Sequence, residues 1–136
     1  MAAAGDVVQR HIEAFNSRDV DGEPWAADAE MTAPGASVSG REAVLGFLGV
    51  FHEAFSDGRL VVEKLIADGS SAAVEGRFVG THDGVLHTPN GDVPATSRPV
   101  DFRWAAAYEV RDSELLSEHL YFDQQDFLAQ LGLLPD

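Results

Sequence analysis

The sequence predicts an α+β fold in which helices cover one face of a curved antiparallel sheet. The first 55 residues are dominated by apolar residues at helical spacing. From residue 59 the period changes to two, and a short helical pattern closes the chain. Helices followed by a run of strands are typical of α+β proteins. At 136 residues the chain can bury a core and a ligand cavity, so we expect residues 1–136 to form one domain.

The predicted helices come mainly in the first half of the chain. The first spans residues 5–17, with one apolar stripe made of Val7, Val8, His11, Ile12 and Phe15. A proline in the first turn favours a short helix over 24–28. The segment Ser39–Glu42 has the spacing of a capping box, which predicts a helix from there to about Phe55. A last helix is expected over 124–131.

Alternating polar and apolar residues predict the strands, which we place at 29–33, 59–67, 71–81, 99–110 and 114–123. Asp68–Gly69 and Asp112–Ser113 have the composition of tight hairpin turns. A polar loop lies between residues 82 and 98, and Asn90–Gly91 predicts a small hairpin within it. Loops of this length are often functional, so this one is a candidate lid or dimer arm.

Composition excludes several classes of function. The net charge of −14, from 23 acidic and 9 basic side chains, disfavours nucleic acid, anionic membranes and polyanionic ligands. Cysteine is absent, which excludes disulfides and thiol catalysis. The N-terminus lacks the basic and apolar regions of a signal peptide, and no apolar run is long enough to span a bilayer. We therefore expect a cytoplasmic protein.

One face of the two long strands mixes large aromatic residues with very small ones. It carries Gly76, Phe78, Gly80, His82, Val100, Phe102, Trp104, Ala106 and Tyr108. Such a mixture favours a cavity for a small apolar ligand, although a solid core that accommodates sheet curvature is the alternative. From the helical segments, the residues expected to line this cavity are Phe15, Asn16, Trp25, Phe47 and Phe51.

The last strand collects polar groups that can hold or move a proton. Ser117, His119, Tyr121 and Asp123 fall on one face, and Leu116, Glu118, Leu120 and Phe122 on the other. We expect the face with His119, Tyr121 and Asp123 to meet the cavity, where burial would raise the pKa of Asp123 into the range of a general acid or base. Alternatively, Asp123 caps the helix that follows.

Several short motifs resemble those of one family. They are Gly40-Arg41-Glu42, Gly80-Thr81-His82-Asp83-Gly84, Arg98-Pro99-Val100, Tyr108-Glu109-Val110-Arg111-Asp112 and Tyr121-Phe122-Asp123-Gln124. In order and spacing the chain resembles the SnoaL-like polyketide cyclases, and its Tyr-Phe-Asp-Gln ending is also similar to ester-cyclase-like sequences. The resemblance implies the nuclear transport factor 2-like superfamily, with a cystatin-like α+β barrel, or cone, and a homodimer.

The resemblance also implies a reaction. These cyclases close a ring by an intramolecular aldol reaction without metal or cofactor, using an aspartate on the last strand and a histidine on the preceding one. The matching positions here hold Tyr121 and Ala106. We therefore expect a displaced acid/base at Asp123, with His119 and Tyr121 positioning or stabilising the enolate and His82 as an auxiliary donor.

Other functions remain open at this stage. Asp101, Arg103 and Asp123 are the residue types that the superfamily uses to open epoxides, but the first two point away from the third. Asp123 with Tyr121 would also suit a ketosteroid-isomerase-like site. A metal site would have to draw on His82, His87, His119 and Asp123, which have no tight ligand spacing, so no metal is expected. The non-enzymatic alternative is a dimeric module that binds a hydrophobic molecule.

Overall fold

The computed structural model describes residues 3–134. Over this range the predicted α+β class is confirmed. The elements, in chain order, are α1 (Ala4–Ser17), β1 (Trp25–Ala33), β2 (Ala36–Ser39), α2 (Arg41–Ala54), β3 (Arg59–Asp68), β4 (Ser71–Thr81), β5 (Leu86–Thr88), β6 (Gly91–Val93), β7 (Pro99–Arg111), β8 (Glu114–Phe122) and α3 (Gln124–Gln130). None of the described helices has both the length and the apolar character that crossing a bilayer requires.

Six strands form one sheet in the order β2-β1-β8-β7-β4-β3, and β5 pairs with β6 in a separate hairpin. Most neighbours are antiparallel, but β1 runs parallel to β8, so the sheet is mixed rather than purely antiparallel as predicted. Helices α1 and α2 pack on one face of it, and α3 packs against β7. Aromatic and aliphatic side chains of the helices and the sheet form one continuous core between these layers.

Two local predictions near the N-terminal half are wrong. Residues 24–28 do not form a helix: β1 begins at Trp25, which pairs with Leu115 of β8, and pairing with the sheet outweighs the helical preference of the proline. Ser39 does not cap α2. The cap position is Gly40, whose φ of 93° favours glycine, so α2 begins without a side-chain cap.

The turns follow the local chemistry of the sequence. Asp112 and Ser113 have φ values of 53° and 64°, as a two-residue hairpin with right-handed strand twist requires. This confirms the predicted turn between β7 and β8. The Asn90–Gly91 signal is also confirmed, since β5 and β6 pair across it, with Thr88 opposite Gly91.

Candidate functional site

A largely apolar cavity of about 50 Å³ lies between the sheet and helices α1 and α2. This volume holds a few water molecules, so a larger ligand needs the half-buried rings at its edge to move. Seven of the predicted pocket residues line it, namely Phe15, Phe47, Phe51, Phe78, Phe102, Trp104 and Tyr108. Two ionisable side chains that the sequence argument did not choose, His11 and Glu118, also line it.

The register of β8 determines which of its side chains face the cavity. Glu118 pairs with Tyr108, and Phe122 with Trp104, across the antiparallel ladder. Because directly opposed residues point to the same side of a sheet, Glu118 shares the inner face with Tyr108. Glu118 is only 3% exposed, so the strand carries a carboxyl group into the core.

The His11 imidazole lines the cavity together with Glu118, and a second carboxyl group, that of Glu23, lies against His11 outside the lining. His11, on the apolar stripe of α1, is 1% exposed, and its Nδ1 lies 2.6 Å from Oε1 of Glu23. Its other ring nitrogen, Nε2, lies 3.7 Å from Oε1 of Glu118. The Trp25 indole donates to the same Glu23 oxygen at 3.0 Å. The imidazole therefore stands between two buried carboxyl groups. We call His11, Glu23, Tyr108 and Glu118 the buried cluster.

The surroundings of the buried cluster shift the pKa of three of its groups. Burial raises the pKa of Glu118 from 4.5 to about 7, although His11 and the Tyr108 hydroxyl act against the rise. Burial also raises the pKa of Tyr108 far above its usual range, so the phenol stays neutral. Burial by itself would lower the pKa of His11. The hydrogen bond and charge of Glu23, helped by Glu118, outweigh burial and leave that pKa raised.

Polar atoms in this region have unused hydrogen-bonding capacity. The Trp104 indole nitrogen and Oε2 of Glu23 are buried and have no hydrogen-bond partner among the described residues. The Tyr108 hydroxyl and Oε1 of Glu118 make no hydrogen bond of ordinary geometry there either, but Tyr108 and Glu118 lie close enough to shift each other's pKa. Buried polar atoms are normally paired, because an unpaired one costs about 1–3 kcal/mol. Tyr108, Trp104 and Glu118 line the cavity, so they can offer two donors and a carboxyl group to a polar ligand.

The predicted catalytic face of β8 lies on the wrong side of the sheet to meet this cavity. His119 pairs with Ala107 and Tyr121 with Ala105, both on the outer face, and Tyr121 is 62% exposed. Asp123 is exposed and caps α3, accepting a hydrogen bond from the Asp126 amide at 3.1 Å. The three residues share one face as predicted, but that face is the outer one, because Leu120 and Phe122 take the inner positions.

Three other predicted residues also lie outside the cavity lining. His82 is fully buried, beside Phe55, and its Nδ1 lies 2.9 Å from the Thr96 hydroxyl. Asn16 joins α1 to β3 through hydrogen bonds with both backbone groups of Leu60. Trp25 is buried outside the lining; its indole donates to Glu23, and its ring lies against that of His11, which does line the cavity.

The alternative residue sets are dispersed. Asp101 pairs with Arg77 at 2.7 Å and Arg103 with Glu63 at 3.4 Å, all at the sheet surface, so neither joins Asp123 in a cavity. Within residues 3–134 no three histidine or acidic side chains are grouped as a metal would need. His87 lies near Glu53 and Asp92 at the surface, away from the other histidines.

The sequence contained a signal for two of the missed residues. Glu118 alternates in phase with Leu120 and Phe122, so burying those two residues also buries its carboxyl group. His11 belongs to the apolar stripe of the first helix, where a polar residue indicates a partnered imidazole. For Glu23 there was no signal, since it follows an exposed acidic loop and only the fold inserts it.

The comparisons with known proteins fit this architecture. A model of the SnoaL-like domain matches residues 8–119, from α1 to β8. The chain belongs to the SnoaL-like domain family. The matched range contains every residue of the buried cluster. The family resemblance drawn from the sequence motifs is thus confirmed. Among curated proteins, no sequence matches the chain.

Solved structures share the fold of this SnoaL-like protein. IdmH from Streptomyces antibioticus, a candidate polyketide cyclase, has a TM-score of 0.77 and 28% identity, covering 93% of this chain and 96% of that one. A protein from Catenulispora acidiphila with a ketosteroid isomerase-like fold, in complex with trimethylamine, has a TM-score of 0.77 and 20% identity, covering 95% of this chain and 94% of that one. An LEH-like epoxide hydrolase from M. tuberculosis has a TM-score of 0.72 and 18% identity, covering 94% of this chain and 88% of that one. The predicted nuclear transport factor 2-like α+β cone is therefore confirmed.

Proposed function

We propose that this SnoaL-like protein is an acid/base enzyme that moves a proton on a small, largely apolar carbonyl compound. One observation carries the proposal. Glu118 lies at the polar end of an otherwise apolar cavity, with its pKa raised to about 7. A carboxyl group with such a pKa can both accept and return a proton near neutral pH. In the proposal, Glu118 replaces Asp123 as the acid/base.

The groups beside Glu118 can stabilise both negative charges of such a reaction, that of the ionised carboxylate and that of the enolate oxygen. The Glu118 carboxylate would remove a proton from the carbon next to the carbonyl, while the neutral Tyr108 hydroxyl donates a hydrogen bond to the oxygen that becomes negative. The imidazole of His11, held by Glu23, stabilises the ionised form of Glu118 from 3.7 Å. The same arrangement accepts the proton and then stabilises the enolate.

The fate of the enolate separates two related reactions. In an aldol cyclisation the enolate carbon attacks a second carbonyl of the same molecule, and Glu118 returns its proton to the new alkoxide. In an isomerisation Glu118 returns the proton to a different carbon of the same molecule. Both reactions begin with the same proton transfer, and the family favours cyclisation.

A small-molecule binding module is the second candidate. The aromatic walls and the Glu118 carboxyl group would suit a small alkylammonium ion, since rings and carboxylates both attract cations. The trimethylamine in the Catenulispora acidiphila protein supports this alternative. In that case Glu118 would bind the ligand as an anion and take no proton from it.

Exchange of α-protons tests the first candidate without knowledge of the natural substrate. Cyclohexanone and phenylacetone are incubated with the protein in D₂O, and loss of the α-proton signals is followed by NMR across pH 5–9. Catalysed exchange should rise with a midpoint near the pKa of Glu118, about 7. Glu118→Gln should lower the rate by about 100-fold or more. Glu114→Gln, an exposed site on the same strand, is the matched control.

Exchange that persists in Glu118→Gln would contradict the role of that residue. If neither ketone exchanges but trimethylammonium binds to the wild type and not to Glu118→Gln, the binding module replaces the enzyme as the proposed function.

We also propose the homodimer expected from the resemblance, through the outer face of the sheet. Ile66 and Tyr121 are 57% and 62% exposed there, and alanines of β4 and β7 surround them. Ile66→Asp should convert a dimer to a monomer in size-exclusion chromatography with light scattering. A wild-type monomer at high concentration would contradict the proposal. The cytoplasmic location stays a prediction.

A further inference from the structure

We propose that Arg41 is a positioning residue of the buried cluster, because it holds the loop that inserts Glu23 beside His11. The inference about geometry stands on its own. Only its consequence for turnover rests on the proposed function of Glu118. Arg41 is the first residue of α2 and lies in the Gly40-Arg41-Glu42 motif.

The loop that supplies Glu23 needs an external support. Its residues 19–22 are exposed, yet the next side chain, Glu23, is 4% exposed and reaches the core. Local contacts hold the loop itself: the Val20 amide donates to the Arg18 carbonyl at 3.1 Å, the Gly22 amide to the carbonyl and carboxylate of Asp19, and the Glu23 amide to the Val20 carbonyl at 3.3 Å. None of them binds the Glu23 carbonyl, and the next carbonyl, that of Pro24, accepts from the Leu115 amide of β8 at 2.6 Å.

The Arg41 guanidinium joins the two ends of this loop. Its Nη1 donates to the carbonyl of Glu23 at 2.7 Å and to that of Trp25 at 3.2 Å, while Nη2 donates to that of Val20 at 3.3 Å. A planar group with several fixed donors can serve carbonyls on both sides of Glu23, which an ammonium group does less well. The start of α2 is itself fixed to β1, since the Gly40 amide donates to the Ala29 carbonyl at 2.7 Å.

The position of Glu23 determines the state of His11. The short Nδ1 contact of 2.6 Å and the Trp25 hydrogen bond both use one oxygen of Glu23. The other groups that face or influence His11 are Glu118 on β8, Tyr108 on β7 and His52 on α2. None of these is bound by Arg41. Loosening the loop therefore changes the surroundings of His11 through Glu23 and through Trp25, whose ring lies 5.2 Å from that of His11, and of these two only Glu23 is ionisable.

The test is an NMR titration of the His11 ring without any substrate, with the signal assigned from His11→Asn. Arg41→Met removes all three hydrogen bonds, and we expect the His11 midpoint to fall by about one unit. Arg41→Lys keeps the positive charge but loses the planar guanidinium with its several donors. It should lower the His11 midpoint by less than Arg41→Met does. Both variants should also speed hydrogen exchange at the Trp25 indole.

Arg18→Met is the matched control. The Arg18 guanidinium likewise bridges backbone carbonyls, those of Phe55, Ser56 and Gly58, but it does not contact the Glu23 loop. Its loss should lower the melting temperature and leave the His11 midpoint unchanged. If the Arg41 variants lower the melting temperature and also leave that midpoint unchanged, Arg41 is an ordinary structural residue and the inference is overturned.

The outcome is separable from that of the proposed function. Ketone exchange that survives Glu118→Gln would refute the acid/base role and leave the titration result intact. If the His11 midpoint is the same in the Arg41 variants as in the wild type, while ketone exchange depends on Glu118, only the positioning role of Arg41 is refuted.

Discussion

Replacing Glu118 by glutamine should remove the pH dependence of stability that this one residue imposes. A rise of the pKa of Glu118 from 4.5 in the unfolded chain to about 7 in the fold corresponds to about 3 kcal/mol. The folded protein holds the proton more tightly than the unfolded chain does. Stability therefore falls as pH rises from 4.5 to about 7, and the loss is complete above that window. Glutamine has nearly the same shape and does not titrate.

Urea unfolding of both proteins between pH 4.5 and 8, followed by circular dichroism, measures the effect. At pH 4.5 the two should have similar free energies of unfolding, and by pH 8 Glu118→Gln should be more stable by about 3 kcal/mol. His11, whose pKa is raised, also stabilises most at low pH and loses its contribution as pH rises. Glu23, the larger cause of that rise, is present in both proteins, so His11 changes the difference only by the smaller part that Glu118 supplies. The carboxylates with lowered pKa values, Asp28 and Asp83, cancel in the difference because they are present in both proteins.

Glu114→Gln should follow the wild type within about 0.5 kcal/mol at every pH, as expected for an exposed site. A Glu118→Gln curve that also runs parallel to the wild type from pH 5 to 8 would show that the fold does not shift this carboxyl group. The argument for a general acid or base at this position would then fail.

Three further substitutions test the packing around the cavity, the packing of α2 and the end of β8. Gly76→Ala should destabilise the fold by about 1–3 kcal/mol, because the new methyl group would lie 2.4 Å from the Val61 carbonyl and 2.9 Å from the Trp104 ring. Gly46→Ala, where no atom lies within 4 Å, should instead stabilise α2 by up to about 1 kcal/mol in the same urea experiment. Asp123→Ala removes the N-cap of α3, so the free energy of unfolding should fall by about 1 kcal/mol while ketone exchange continues. Loss of ketone exchange at unchanged stability would instead identify Asp123 as the acid/base.

The sequence predicted the long-range architecture well because hydrophobic periodicity reports which face of each element is buried. The inner faces of β4 and β7 were assigned correctly from alternation alone, and Phe78, Phe102 and Trp104 do line the cavity. Strand β2 and the parallel pairing of β1 with β8 were not predicted. Strand β2 has only four residues, which leaves little periodicity to detect, and β1 and β8 are distant in sequence.

The error at β8 has a specific physical cause. Polar residues were chosen for the pocket because proton-transfer chemistry needs them, and this choice overrode the rule that apolar residues take the buried face. Leu120 and Phe122 obey that rule, which places Tyr121 and Asp123 outside. The same rule, applied without preference for chemistry, would have selected Glu118.

The energetic penalty at Glu118 is itself an argument for a function of the buried cluster. A leucine or glutamine at this position would fill the inner face beside Leu120 without the loss of about 3 kcal/mol at neutral pH. The imidazole of His11 and the Tyr108 hydroxyl offset only part of that penalty, and the charge of Glu23 adds to it, so the pKa of Glu118 remains high. Packing alone gives no reason for a titrating carboxyl group here, whereas proton transfer at neutral pH requires one with this pKa.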